Sequence, residues 1–486
     1  MAAAFLAVAV IVPVGAAATG SVRKGVGYYK SGDLASAAAE FQKAFEADAK
    51  DGAAASWLGF VLLKQNKAAE AVAPLQHASE LAPKDGEVWN NLGTAYLLIG
   101  ENEKAAAAYS EAVKLRPSSA DALYNLGSAE LRLGRPAEAE KLFRQAAAAK
   151  PKDVNVLNNL GLSLQQQGKL DEAIKTFKAA VAIAPGNANL LLNLGMAQKE
   201  KRDMAGAKLT FENAAKVTKD SYYVHVALGE ILAAEGKVAD AIAEYKAAEA
   251  AKPGQFAPAY NLGVLYAKQG KHKEAVESFN AALLVKPTDV DTMVNLGWSL
   301  FKSGHTPEAI KQLKAVLEKE PANLAAHKRL AAVYTYAADA AGDPALLESY
   351  RTGAASEWSE VARLDAKDPA AHVNLANIFL ANRDLDKALR EYRAAVKTDP
   401  KNSQARLGVG LVLVEQGKLD EAITQYRDLI KSNPSLASAY NNLGVALEKK
   451  GLTEEAKTQY QKALQLDPDY ADAKYNLDRL ARAPGQ

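Results

Sequence analysis

A glycine recurs every 34 residues over most of this chain. It stands at Gly25, Gly59, Gly93, Gly127, Gly161, Gly195, Gly229, Gly263 and Gly297, and the register resumes at Gly410 and Gly444. A fixed period of this length means a stack of like supersecondary units, each burying its apolar face on its neighbours. If the glycine is the eighth residue of a unit that begins at Ala18, the twentieth is alanine in all 13 units, from Ala37 and Ala71 through to Ala456. Twelve units hold 34 residues, one holds 45, and the last closes at Tyr470.

Each unit reads as two amphipathic helices. In Gly86–Ser119, Trp89, Leu92, Gly93 and Tyr96 share one face at helical spacing. Gly100 supplies the left-handed residue that ends a helix, and Pro117 stops the second helix, which begins near Asn102. Ala105, Tyr109 and Ala112 then point inward. Gly93 and Ala105 are small because the two helices cross there, and Tyr109 fills the space beside the crossing. Composition fits this reading: 49% of residues are hydrophobic but only 7% aromatic, the small side chains that close helix packing needs.

These residues carry a resemblance. The run from Trp89 to Pro117, WNNLGTAYLLIGENEKAAAAYSEAVKLRP, is similar to the tetratricopeptide repeat in its W-x2-L-G-x2-Y, A-x3-F/Y and closing proline. The resemblance covers residues 18–470 and implies an all-α, right-handed α-solenoid of about 13 helix-turn-helix units with a C-terminal capping helix. The expected divisions are repeats 1–9 over 19–323, repeat 10 with an 11-residue insertion over 324–368, repeats 11–13 over 369–470, and a capping helix and tail over 471–486. Leu477 and Leu480 would cover the open end of the stack.

Departures from the pattern mark expected soft spots. The first unit has Lys24 where leucine is usual, and Ala49 where proline is usual. The sixth has Arg202 for the turn glycine and Lys219 for the proline. The tenth carries its inserted residues around Ala337–Leu347, including Gly342-Asp343-Pro344, before the second helix resumes through Trp358 and Val361.

Residues 1–18 form a segment of different character, with no charged side chain, an apolar run from Ala4 to Val14 and a small-residue stretch at Ala16-Ala17-Ala18. Two readings fit: a cleaved signal peptide, giving a periplasmic or extracellular chain that begins at the first repeat, or a membrane anchor, for which ~20 residues suffice. The first is favoured because cleavage after Ala18 leaves the repeat register intact. A frayed first helix on a cytoplasmic chain is the third alternative.

Chemistry is sparse. Cysteine is absent, which removes disulfides, thiolate zinc sites and cysteine nucleophiles. The six histidines, His77, His225, His272, His305, His327 and His372, form no close pair on a helix, and no phosphate-cradling glycine loop follows a strand. His272 and His305 hold similar turn positions in adjoining repeats and read as solvated. Carboxylate pairs such as Asp171-Glu172 and Asp420-Glu421 begin second helices, where the dipole suits them. No catalytic set, metal site or cofactor is expected. Lys+Arg number 59 and Asp+Glu 57, so no charge field invites nucleic acid.

What remains is a surface. The resemblance implies that first helices line a concave groove through repeat positions 2, 5, 6, 9, 12 and 13. Position 6 is asparagine in eight units, among them Asn91, Asn125, Asn159, Asn193, Asn261 and Asn295. This is similar to the asparagine ladder of the O-GlcNAc transferase superhelix, where amides hold an extended peptide backbone. The alternative is that these amides bond neighbouring helices. The groove is otherwise apolar: Leu192, Met196, Val226, Tyr260, Trp298 and Phe301 occupy its middle, either open to a partner or packed on adjacent repeats. A chaperone-binding clamp is rejected, because Asn377 alone holds its position 9 and Val373 stands at position 5. The expected function is a non-catalytic scaffold holding an extended peptide or protein segment. Alternatives are the targeting half of a glycosyltransferase-type complex and a self-assembling structural array.

Overall fold

The computed structural model describes residues 20–218 and 221–482. Among these the chain forms 27 α-helices and no strand, numbered in chain order from α1 (Gly20–Lys30) to α27 (Ala471–Arg482). Odd numbers are first helices and even numbers second helices of successive repeats. The fold is all-α and repetitive, as the period requires. It divides into two compact units, Met1–Pro253 and Gly254–Gln486. The first holds helices through α14 (Val238–Ala251); the second begins with α15 (Phe256–Lys268).

The third repeat shows why each unit folds as it does. Asp85 caps α5 (Gly86–Leu98), its carboxylate accepting from the Glu87 N–H at 2.9 Å. Gly100 takes φ +85° in the turn, a conformation that costs glycine nothing. On α6 (Asn102–Leu115), Ala105, Tyr109 and Ala112 are fully buried, and the Tyr109 hydroxyl donates to Thr94 Oγ1 at 3.0 Å. A Cβ on Gly93 would lie 2.6 Å from the Tyr109 ring. The crossing glycine is therefore required by the ring at position 24, and the alanine at position 20 is buried beside it.

Two repeats carry alanine at the crossing, Ala331 in the tenth and Ala376 in the eleventh. In the eleventh, between α21 (Pro369–Ala381) and α22 (Leu385–Thr398), the Tyr392 hydroxyl donates to Asn377 of α21 and its ring also reaches the next repeat. A Cβ on Gly408, in α23 (Ser403–Glu415), would lie 2.4 Å from that ring. Position 6 is glycine in the repeat of α23, where asparagine is usual, because Tyr392 of the preceding repeat occupies the space.

The tenth repeat shows where its inserted residues go. Its inserted residues do not form a loop; they lengthen both helices. α19 runs over Leu324–Asp339 and α20 over Pro344–Leu364, 16 and 21 residues against the 13 and 14 typical of the array. The interruption is confined to 340–343. Asp343 caps α20 by accepting from the N–H groups of Ala345 and Leu346, and Pro344 takes the first-turn position that proline favours.

The other soft spot holds its helices. α11 (Ala188–Glu200) and α12 (Met204–Val217) form on either side of Arg202, which is forced to φ +67°. Asn66 and Arg383 do the same in their own turns, at 60° and 61°. At the C-terminus Leu477 and Leu480 of α27 pack on the preceding core, and Asn476 donates to Asn441 Oδ1 at 3.0 Å. The carboxylate pairs that open second helices reach into adjoining repeats: Asp171 meets Lys201, Asp420 meets Lys450, and Glu172 meets Arg144 at 2.6 Å. Among the described residues no helix is long and apolar enough to cross a membrane. The leader or anchor reading of residues 1–18 lies outside the described residues, as does Lys219.

Candidate binding groove

First helices of neighbouring repeats lie side by side, and their shared face is built from a few repeat positions. The amides at position 6 have a definite use. Asn125 Nδ2 donates to Asn90 Oδ1 at 2.8 Å, Asn159 Nδ2 to the Tyr124 hydroxyl at 3.1 Å, and Asn193 Nδ2 to Asn158 Oδ1 at 2.8 Å. In each case the partner is position 5 of the preceding repeat, 35 residues earlier. Tyr260 and Asn295 repeat the relationship in the second unit, and Asn476 carries it into the capping helix. Asn91, Asn125 and Asn159 are buried, while Asn193, Asn261 and Asn295 remain half-buried.

In the first unit the face opens into a cavity of about 700 Å³. It is lined only by α7 (Ala120–Arg132), α9 (Val154–Gln166), α11 and α13 (Tyr222–Ala234). Every lining residue holds position 2, 5, 6, 9, 12 or 13, the set the resemblance implies. Leu131, Leu162, Leu192 and Val226 make an apolar floor, and Met196 and Tyr223 stand exposed above it. The rim is polar and internally paired: Lys199 bonds Glu230, and Gln165 donates to Glu200 at 2.8 Å. Asn193 lines the wall. Sequence reasoning singled out Leu192, Met196 and Val226 but missed Tyr223 and the charged rim, which the register alone would have found.

In the second unit the aromatic residues gather. Trp298 and Phe301, on α17 (Val290–Lys302), have ring centres 5.5 Å apart, and Phe301 stacks on Tyr336 of α19 at 5.9 Å. Trp298 and Phe301 are half-buried against the core beneath α17 to α20, and Tyr336 is 59% exposed. Tyr260 is also half-buried, stacked on Phe256 at 5.6 Å. Burial raises its pKa first, and Asp291 and Asp289 add to the rise.

The histidines hold structure. His225, His327 and His372 all occupy position 4, and each meets a glutamate at position 23 of its own second helix: Glu244 at 2.7 Å, Glu357 at 2.6 Å and Glu391 at 2.9 Å. Period alone does not show this pairing, because it joins different helices. His305 bonds Ser303 at 3.2 Å, and His272 is half-buried. No group of His, Asp or Glu among the described residues could hold a metal ion.

Tetratricopeptide repeat models match residues 192–256, 259–289, 294–352, 347–403, 410–451 and 437–470, together more than half of the chain. A model of the C-terminal domain of cilia and flagella-associated protein 70 matches residues 7–221. No curated protein matches. Among solved structures, YrrB, described as a TPR protein with an unusual peptide-binding site, is 23% identical, covering 38% of this chain and 95% of its own with a TM-score of 0.35. A tetratricopeptide repeat protein from Parabacteroides merdae ATCC 43184 is 22% identical over 51% of this chain and 95% of its own, TM-score 0.40. The Naa15/Naa10 structure bound to HypK-THB is 16% identical over 94% of this chain and 78% of that one, TM-score 0.34.

Proposed function

This chain belongs to the tetratricopeptide repeat family, whose arrays generally serve as protein–protein interaction modules, and from that premise we propose that it is a non-catalytic scaffold for an extended peptide segment. The observation that carries the reading is the cavity along α7, α9, α11 and α13. It is apolar at its floor and polar at its rim, the division that specific interfaces show. Met196 and Tyr223 are the anchors a partner side chain would cover, and Asn193 offers an amide oxygen to its backbone. The paired rim residues set register more than affinity, because exposed ion pairs contribute little.

A library of displayed linear peptides selected on the intact chain tests this. Peptides with apolar anchors should be enriched, and Met196→Asp should abolish their binding by placing a charge beside the apolar floor. Enriched peptides that bind Met196→Asp unchanged would place the interaction elsewhere. Sedimentation across protein concentrations separates this reading from self-assembly, which would bury the same face between copies.

A further inference from the structure

Two neighbours on α19 are treated very differently. Lys328 Nζ meets Asp368 at 2.7 Å and Asp365 at 3.5 Å, a cation with two carboxylates. Arg329, the next residue, forms no ion pair or hydrogen bond among the described residues. Its guanidinium lies over the Trp298 ring, 4.3 Å from the centre, and is half-buried. Lys302 Nζ, on an exposed side chain, lies 5.8 Å from the centre of the same ring and likewise has no carboxylate among the described residues. Two cations therefore share one indole. A cation over an indole face is favourable, but a second like charge beside it is repulsive, and partial burial strengthens the repulsion. The carboxylates nearest in sequence, Glu308 and Glu320, stand at the two ends of α18 (Thr306–Lys319), and neither pairs with Lys302 or Arg329 among the described residues.

The surrounding electrostatics agree. Burial alone pushes the Arg329 pKa down, and no neighbouring carboxylate offsets it. The field reaches His272, whose pKa falls first through burial and then through the charge of Lys302. A half-buried guanidinium with open donors is a planar fork that matches a carboxylate. Phe301 and Tyr336 continue the surface beside it as a stacked, partly exposed aromatic pair.

We propose that Arg329, Lys302 and Trp298 form a subsite for an aspartate or glutamate side chain of a bound peptide, with the adjoining Phe301–Tyr336 pair covering an apolar residue next to it. The partner is thus an acidic segment in which carboxylate and apolar side chains adjoin. Charge complementarity carries the assignment: the incoming carboxylate supplies the counter-charge that two unpaired cations lack. This site is in the second unit and does not depend on the cavity of the first.

The test uses the intact chain, a displayed library of random linear peptides, and the variants Arg329→Met and Lys302→Met. Sequences with Asp or Glu beside an apolar residue should be enriched. Once synthesised with both ends capped, they should bind on the order of tenfold more weakly to Arg329→Met, as loss of a charge-assisted hydrogen bond requires. Exchange of the peptide's Glu for Gln should cost a similar factor, and Met196→Asp should leave this binding unchanged. Arg329→Met should melt close to the native chain, since its side chain has no hydrogen bond or ion pair to lose and methionine can still cover the ring; should it melt earlier, Lys302→Met carries the comparison. Four outcomes overturn the proposal: no acidic binder enriched, affinity unchanged in both variants, binding lost on capping the peptide's C-terminus, or competition by inorganic phosphate as effective as by the peptide. Failure here alongside binders sensitive to Met196→Asp leaves the first-unit cavity standing.

Discussion

The ring of Tyr392 and the backbone of Gly408 are in contact across two repeats, so closely that a Cβ on the glycine would lie 2.4 Å from the ring. Gly408 departs from the asparagine that most repeats carry at this position. Restoring that residue should therefore harm the protein. Gly408→Asn is expected to lower stability by about 1–3 kcal/mol through overpacking, read as a lower denaturant midpoint. Adding Tyr392→Ala should recover part of the loss from the glycine site, because the two residues share one space. Equal midpoints for the native chain and Gly408→Asn would contradict the geometry.

Arg202, Asn66 and Arg383 hold the left-handed turn that glycine holds in most other repeats. Arg202→Gly should raise stability by about 0.5–1 kcal/mol, the strain relieved less the entropy glycine adds to the unfolded chain. Asn66→Gly should gain less, since asparagine tolerates this conformation. Arg383→Gly also gives up a 2.9 Å pair with Glu415, but that arginine is exposed and the pair contributes little. Chemical denaturation of the three single variants and their combination would show the ranking.

Acid should loosen the joint between the fourth and fifth repeats first. Burial would raise the pKa of Glu140, on α8 (Pro136–Ala149), but hydrogen bonds from Lys169 at 2.7 Å, Arg144 at 2.8 Å and Gln167 at 2.8 Å outweigh it and hold the carboxyl at about 2. A carboxylate depressed on folding stabilises the native state above its unfolded pKa of 4.5 and loses that contribution as pH falls toward the folded value. Hydrogen exchange in α8 and α10 (Leu170–Ile183) should therefore accelerate as pH falls from about 4.5 to about 2, after correction for intrinsic rates. In Glu140→Gln the acceleration should vanish.

Tyr245 and Trp298 separate core from surface. Tyr245 is 2% exposed beneath Gly229, and Tyr245→Ala should cost about 3 kcal/mol or more. Trp298 is half open, so Trp298→Ala should cost clearly less and leave helical content nearly unchanged. Circular dichroism with thermal melting decides this. A Trp298→Ala chain that melts as early as Tyr245→Ala would make the tryptophan a core residue.

Helix boundaries were legible wherever a backbone signal is local. α6 spans the residues that Gly100 and Pro117 delimit, and the crossing glycine was legible because only a residue without a side chain fits under a ring. The insertion was legible in place but not in conformation, for a matching reason. Gly342-Asp343-Pro344 marks where the helix breaks, but Tyr336 to Asp339 and Ala345 to Glu348 are ordinary helix formers whose continuation nothing local forbids. The groove residues were harder. Period places an asparagine on a face, yet whether its amide meets a helix or open space depends on the residue 35 positions earlier, and asparagine suits both. Arg329 is harder still. In sequence it is simply the residue after Lys328, and only the approach of α17 and α21 makes one of them paired and the other not.

The 35-residue offset between each amide and its partner makes the chain editable in whole units. Removing residues 120–187, two complete repeats, would bring Asn193 to the place of Asn125, opposite Asn90. There it would find an asparagine carbonyl, the same acceptor that Asn158 offers it now. A deletion one residue longer or shorter would set the amide at that junction against the wrong neighbour. Such an array can change length by duplication or loss of repeats without inventing a new junction, whereas any other change must be absorbed inside one repeat, as the tenth absorbs its extra residues in two longer helices.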